Sequence, residues 1–258
     1  MGHLRLWKLP KTHRWKEVVE QLELGSEIPQ LAESSLRAAE TGLYRAAKDD
    51  VLISTLLQAF LLFEAASKKS HKNLLSQLGY PVSADTSHFD FIIQFRKLVE
   101  ESSSSYANRT DAGEIALNAF TEVLGKYLRA ESGDLFDSRD SRVIERLSKA
   151  SKGKQFQRLM RDFYASFTSR YLDYFIGREL SQHIGANERF RNLSEQESFS
   201  RDFELYVRQS IRIVDEFTPG WYGKTKFKGE FDHNSVRKYA HVAFKKIVSE
   251  FVRGGDLD

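Results

Sequence analysis

The sequence contains no cysteine among its 258 residues. This absence excludes disulfide frameworks, thiolate nucleophiles and thiolate zinc sites together. It also fits a reducing compartment, and the N-terminal residues from Met1 to Trp7 lack the long apolar core of a signal peptide. We therefore expect a cytoplasmic protein.

Proline is scarce, and strand patterns are nearly absent. The prolines lie where periodic segments begin or end, at Pro10, Pro29, Pro81 and Pro219. Alternating patterns are confined to the first ten residues and to residues 221–231. With 41% hydrophobic and 12% aromatic residues, the composition is that of a globular protein. The sequence predicts an all-α fold, an irregular bundle of several helices with little or no β structure.

A long helix is predicted over about residues 153–184, where large side chains recur every three or four residues. That spacing gathers them on one side of a helix, which is typical of a central core element. The residues concerned are Phe156, Met160, Phe163, Phe167, Tyr171 and Tyr174, with Tyr164 and Phe175 widening the same arc. We expect the bundle to be built around this helix.

The most apolar stretch covers residues 51–66. It is shorter than the roughly 20 apolar residues that span a bilayer, and Gln58 and Glu64 interrupt it. The pattern predicts a helix buried on most sides, and we expect no association with a membrane.

A run of four serines at residues 102–105 is the best candidate linker in the chain. So short a run fits a domain boundary or a turn between two helices, and we favour the turn. We therefore expect a single helical domain over residues 1–258, with any weak subdivision near residues 102–110.

Common catalytic and ligand-binding motifs are missing from the sequence. It has no glycine-rich phosphate loop, no histidine pair at a metal-binding helical spacing and no glycine-flanked serine elbow. Asp162 and Asp173 lie about three turns apart on the predicted long helix, with Arg158, Arg161 and Arg170 close to them. Ion pairing on the helix surface explains these residues. We expect no metal and no other cofactor.

One short motif points to an enzyme. Arg178 and His183 lie five positions apart near the end of the predicted long helix. This pair resembles the arginine-and-histidine signature of HEPN ribonucleases, small all-helical proteins frequently found in microbial toxin and antiviral systems. The resemblance implies a metal-independent ribonuclease in which His183 acts as acid or base on the RNA 2′-hydroxyl and Arg178 stabilises phosphate charge. The alternative is structural, with Arg178 paired within the bundle and His183 close to the helix C-terminus.

A strip of basic residues is predicted on one face of a shorter helix. Arg139, Arg142, Arg146 and Lys149 follow steps of three and four residues, which places them on a common side. Such a strip fits an acidic protein partner, RNA or single-stranded DNA, or a plain solvated face.

A second basic region follows Pro219 and Gly220. It is made of Trp221, Tyr222, Lys224, Lys226 and Lys228, interleaved with Phe227 and followed by Arg237, Lys238, Lys245 and Lys246. Lysines neutralise phosphates and aromatic rings stack on bases, so nucleic acid and an acidic protein both fit. A proline-glycine turn would end the preceding helix and present Trp221 and Tyr222 on a surface loop, unless that loop folds back and buries them.

These observations favour a non-catalytic accessory or adaptor subunit of a larger cytoplasmic assembly, binding an acidic protein or a nucleic acid. Two alternatives stay open. One is a HEPN-like ribonuclease that uses Arg178 and His183, and the other is an RNA-binding or single-stranded DNA-binding module that uses the two basic regions.

Overall fold

The computed structural model describes residues 9–83, 86–103, 110–129, 143–151 and 154–254. Within these residues the chain is 80% helical, with eleven helices and no strand. The helices are α1 (His13–Glu23), α2 (Ile28–Ala46), α3 (Asp50–Ser67), α4 (His71–Gln77), α5 (His88–Ser102), α6 (Asp111–Arg129), α7 (Val143–Ala150), α8 (Lys154–Leu180), α9 (Leu193–Ser210), α10 (Ile213–Lys228) and α11 (His233–Gly254). The prediction of an all-α, multi-helix bundle is confirmed.

The long aromatic helix is α8, and it lies at the centre of the bundle. It packs against α2, α6, α7, α9 and α10. Phe163, Tyr164 and Phe167 are completely buried, and Tyr171 is 8% exposed. Tyr174 is only half-buried, because its hydroxyl turns outward and donates a hydrogen bond to Asp111 Oδ2 (3.0 Å). The aromatic arc therefore forms core along most of its length and reaches the surface near its C-terminal end.

The apolar segment 51–66 forms α3, a second core helix. Asp49 caps its N-terminus by accepting a hydrogen bond from the Leu52 N–H (2.8 Å). Among the described residues, α3 is the one helix that is long and apolar enough to cross a bilayer, and 72% of it is buried inside the protein. Its Phe60 ring packs among Phe156, Trp221, Tyr222, Phe231 and Tyr239.

The predicted chain break at Pro219 and Gly220 is wrong. Both residues lie inside α10, which continues to Lys228 and ends at Gly229, a residue with a positive φ of 66°. A proline in a helix interior removes one backbone hydrogen bond and costs about 3 kcal/mol. The burial of Tyr222 against Phe60 and Phe156 stabilises the helix on the far side of the proline and offsets this cost. The part of the strand-like segment 221–231 that reaches to Lys228 is therefore helical.

The serine run begins at the end of α5. Ser103 follows the helix, is buried, and donates a hydrogen bond to Asp50 Oδ2 at the start of α3 (3.0 Å). Residues 104–109 lie outside the described part of the chain, while α5 and α6 on either side of them pack against each other. The division near residues 102–110, and the single-domain expectation with it, stay predictions.

Candidate binding surfaces

The Arg178 and His183 motif spans the end of α8. The helix ends at Leu180, and the His183 N–H donates to the Leu180 carbonyl in the turn that follows (3.2 Å). Arg178 is exposed, whereas His183 is 9% exposed, with its Nδ1 3.6 Å from Glu188 Oε2. The helix ends before His183, and the two residues differ in burial, with Arg178 exposed and His183 mostly covered. The role implied by the resemblance stays a prediction.

The predicted basic strip is not one exposed face. Arg139 and Arg142 lie outside the described residues, and Lys149 is exposed. Arg146 is 6% exposed, and its Nη1 donates to the carbonyl oxygen of Leu128 in the last turn of α6. The predicted surface position of Arg146 is therefore wrong. Carbonyl groups at the end of α6 have no partner within that helix, and the guanidinium of Arg146 turns inward to donate to one of them.

A small pocket of about 400 Å³ lies beside Arg146 and Lys149, with Lys126 and Arg208 contributing further positive charge. Two of these cations have carboxylate partners, since Lys126 Nζ lies 2.5 Å from Glu122 and Arg208 Nε lies 2.8 Å from Glu204. Burial raises the pKa of Asp162, which also lines the pocket, despite the opposing charge of Arg161. Of the four cations at this pocket, Lys126 and Arg208 are thus paired with carboxylates of the protein itself.

Tyr222 is buried in the core and Trp221 is partly buried against it, and neither lies on a surface loop. The Trp221 ring lies 5.0 Å from that of Phe60 and 4.3 Å from that of Tyr239, and Tyr222 is 8% exposed. Burial raises the pKa of the Tyr222 hydroxyl well above its ordinary value. The expected burial is observed in full for Tyr222 and in part for Trp221, and a helix rather than a folded-back loop carries both residues.

The lysines of the second basic region meet a second lysine-rich segment. Lys226 Nζ donates to Ser67 Oγ at the end of α3 (2.7 Å), which brings the C-terminus of α10 against the turn between α3 and α4. We call the combined feature the lysine-rich end; its members are Lys68, Lys69, Lys72, Lys224, Lys226 and Lys228. All except the half-buried Lys226 are exposed. The sequence analysis did not identify Lys68, Lys69 and Lys72 as candidates, although three lysines within residues 68–72 form a visible cluster.

One aromatic ring remains in solvent at this end. Phe227 is 92% exposed and lies on the open side of α10, between Lys224 and Lys228. Lys226 points the opposite way, toward α3, and its Nζ lies 5.8 Å from the centre of the Tyr222 ring. The lysine-rich end thus surrounds a helix terminus and does not form one flat face.

A cleft of about 1280 Å³ lies on another part of the bundle. Its walls come from α1, the C-terminal half of α2, the starts of α3 and α6, and the last turns of α8. Aromatic rings form its floor, at Trp15, Tyr171, Tyr174 and Phe175. No local sequence signal marks this site, because it is assembled from segments that are far apart in the chain.

No protein-family model, no curated protein and no solved structure matches this chain. Among the described residues, no cluster of three or more histidine or acidic side chains is arranged to hold a metal ion. Two surfaces are therefore candidates for binding. They are the lysine-rich end and the cleft with the aromatic floor, which we call the aromatic cleft.

Proposed function

We propose that this protein is a non-catalytic helical subunit whose lysine-rich end binds an acidic protein partner. The observation that carries the proposal is the hydrogen bond between Lys226 and Ser67, which joins two lysine clusters from distant parts of the chain. Around this contact, residues 64–72 and 224–232 contain six lysines against three carboxylates. Such a concentration of one charge attracts an oppositely charged partner and accelerates its association.

The lysines repel one another in the free protein. Burial, and then the positive charge of Lys68, lower the pKa of Lys226 from its ordinary value. Two ion pairs provide partial relief, between Lys68 and Glu64 (3.5 Å) and between Lys228 and Glu230 (3.6 Å). Both pairs are solvated and worth little to stability. Carboxylates of a partner would compensate the remaining positive charge of these lysines, which favours complex formation.

The aromatic side chains favour a protein over a nucleic acid. Proteins that bind single-stranded nucleic acids without sequence preference stack successive bases on several rings. Here Tyr222 is buried and Trp221 is partly buried against the core, which leaves Phe227 as the exposed ring of this region. A single projecting phenyl group among lysines fits the centre of a protein interface, where an apolar anchor fills a pocket and charges form the rim.

The test compares charge reversal at two sites. Tagged wild-type protein, Lys224→Glu/Lys228→Glu and Phe227→Ser would be recovered from the cells that express it, with and without nuclease, and their partners identified by mass spectrometry. The matched control is Lys16→Glu/Lys97→Glu, which reverses two exposed lysines on α1 and α5. All these positions are exposed, so stability should change by less than about 0.5 kcal/mol per substitution.

We expect an acidic protein that survives nuclease, is retained by the control and is lost from both lysine-rich-end variants. The purified pair would then be titrated by calorimetry at about 50 and about 200 mM salt. A protein interface with an apolar centre should weaken modestly, whereas neutralisation of many phosphates would lower affinity by about a thousandfold or more. Recovery of nucleic acid with that steep dependence would replace the proposal, and unchanged binding by both variants would place the interface elsewhere.

A further inference from the structure

The floor of the aromatic cleft is a continuous array of rings. The Trp15 and Phe175 rings lie 5.1 Å apart, and Phe175 lies 5.2 Å from both Tyr171 and Tyr174. Gly42 belongs to the α2 wall of the cleft and contacts Tyr171. The Tyr171 hydroxyl lies where a Cβ on residue 42 would be. Rings held in this way present edges and faces on which a flat apolar group can pack.

The carboxylates at the rim are already engaged by the protein itself. Glu40 accepts hydrogen bonds from Arg14 (2.9 Å) and Tyr44 (3.1 Å). Asp49 caps α3 and also accepts from the Thr110 hydroxyl (2.5 Å). The other two accept from hydroxyl groups as well, Asp50 from Ser103 and Asp111 from Tyr174, each at 3.0 Å.

Three of these four carboxylates also lie at helix N-termini. Asp49 and Asp50 begin α3, and Asp111 begins α6. The positive end of a helix dipole compensates negative charge at such positions. The helix dipoles therefore offset part of the negative charge of Asp49, Asp50 and Asp111.

Two cations at the rim remain unengaged. Arg45 and Lys48 both line the cleft and both are exposed. Neither side chain has a hydrogen bond or an ion pair with any described residue. Arg45 lies close enough to Tyr171 for its charge to oppose the effect of burial, which raises the pKa of the Tyr171 hydroxyl to about 12. Arg45 and Lys48 are thus two cationic donors at the cleft that remain available to a ligand.

We propose that the cleft binds a small molecule with a flat aromatic body and an anionic group. The body packs on the partly exposed rings of Tyr174 and Phe175, while the anion accepts hydrogen bonds from Arg45 and Lys48. A volume of about 1280 Å³ is ample for a ligand of cofactor size. This site is separate from the lysine-rich end and does not depend on the function proposed above.

The probe for this site is 8-anilinonaphthalene-1-sulfonate, and N-phenyl-1-naphthylamine serves as the same aromatic body without the anion. Both become fluorescent in apolar surroundings, so binding can be titrated directly. The informative variant is Thr41→Glu, because Thr41 is an exposed residue of the cleft wall and lies four residues before Arg45 on α2. A carboxylate there faces Arg45 and repels an anion. Its matched control is Thr41→Gln, which has the same shape and no charge.

Arg45→Gln/Lys48→Gln replaces the two cationic donors with neutral amides, and Arg37→Gln/Lys97→Gln is its control on surfaces outside the cleft. We expect the sulfonate to bind the wild-type protein more tightly than the neutral probe. Loss of a charge-assisted hydrogen bond weakens binding by about tenfold or more. Both Arg45→Gln/Lys48→Gln and Thr41→Glu should show this loss for the sulfonate and no change for the neutral probe.

Three results would overturn the proposal. The first is equal affinity of the wild-type protein for the charged and neutral probes. The second is sulfonate binding that survives in Arg45→Gln/Lys48→Gln, and the third is sulfonate binding that Thr41→Gln weakens as much as Thr41→Glu. Circular dichroism of each variant would verify that the helices are intact, so that weaker binding reports the cleft itself.

Discussion

The guanidinium of Arg146 on α7 donates a hydrogen bond to the backbone carbonyl of Leu128 in the last turn of α6. Carbonyl groups in the last turn of a helix have no acceptor role within that helix, and a cation placed there complements the negative end of the dipole. Because Arg146 is 6% exposed, water competes poorly for either group. The short helix α7 is thereby fixed to the end of α6.

Arg146→Met should destabilise the protein by about 1.5–3 kcal/mol, the usual range for a hydrogen bond to a charged group. Methionine retains much of the apolar stem, so the loss reports the missing guanidinium. Lys149→Met on the same helix is the control, since Lys149 is exposed and its replacement should change stability by less than about 0.5 kcal/mol. Urea unfolding of both variants decides the matter, and equal midpoints would show that Arg146 contributes nothing beyond its stem.

A second prediction compares one substitution at two depths. Phe167→Ala on α8 removes a completely buried ring and should lower the free energy of unfolding by about 3–5 kcal/mol, because lost transfer energy and a cavity add together. Phe227→Ala removes the same ring from a position that is 92% exposed and should cost less than about 0.5 kcal/mol. Chemical denaturation measures both. A near-native Phe167→Ala would mean that α8 is not the centre of the core.

A third prediction concerns the two prolines that lie within helices. Pro219→Ala restores a backbone donor inside α10 and should stabilise the protein, by at most about 3 kcal/mol. Pro29 lies in the first turn of α2, where backbone N–H groups make no intrahelical hydrogen bond in any case. Pro29→Ala should therefore not raise the stability in this way. Thermal unfolding compares the two variants. A lower melting temperature for Pro219→Ala would indicate that the ring of this half-buried proline contributes packing that exceeds its backbone cost.

A fourth prediction separates binding from catalysis. If His183 is structural, highly purified protein should not cleave single-stranded RNA in a manner that depends on this residue. Wild type, His183→Ala and Arg178→Ala would be incubated with labelled RNA in the presence of a metal chelator, and the products resolved on denaturing gels. Cleavage by the wild type that both variants lose, with folding unchanged, would establish the metal-independent ribonuclease and displace the binding hypothesis.

The sequence was sufficient for the helical architecture because apolar periodicity records which side of each helix faces the core. The predicted long helix at about 153–184 is observed at Lys154–Leu180, and its arc is buried as expected from Phe156 to Tyr171. Predictions from neighbouring residues were wrong where contacts with distant residues determine the local structure. Pro219 stays within a helix because Tyr222 packs on Phe60, a contact that no short window of sequence contains.

The candidate sites were predicted only in part, for the same reason. Lys224, Lys226 and Lys228 were visible as a cluster, but their junction with Lys68 depends on how α10 packs beside α3. Arg146 has the spacing of a surface residue and becomes buried because the end of α6 offers it an acceptor. Arg45 and Lys48 carry no pattern of their own. They become notable only when the engaged carboxylates around them are known.

The bond between Lys226 and Ser67 joins positions that are 159 residues apart in the chain. The charge concentration around it therefore vanishes on unfolding, and a partner that recognises it will have little affinity for the denatured chain. By mass action, a partner present at about one hundred times its dissociation constant adds about 2.7 kcal/mol to the unfolding free energy. A thermal-shift screen of fractionated cell extract would thus register the partner through a raised melting temperature before its identity is known.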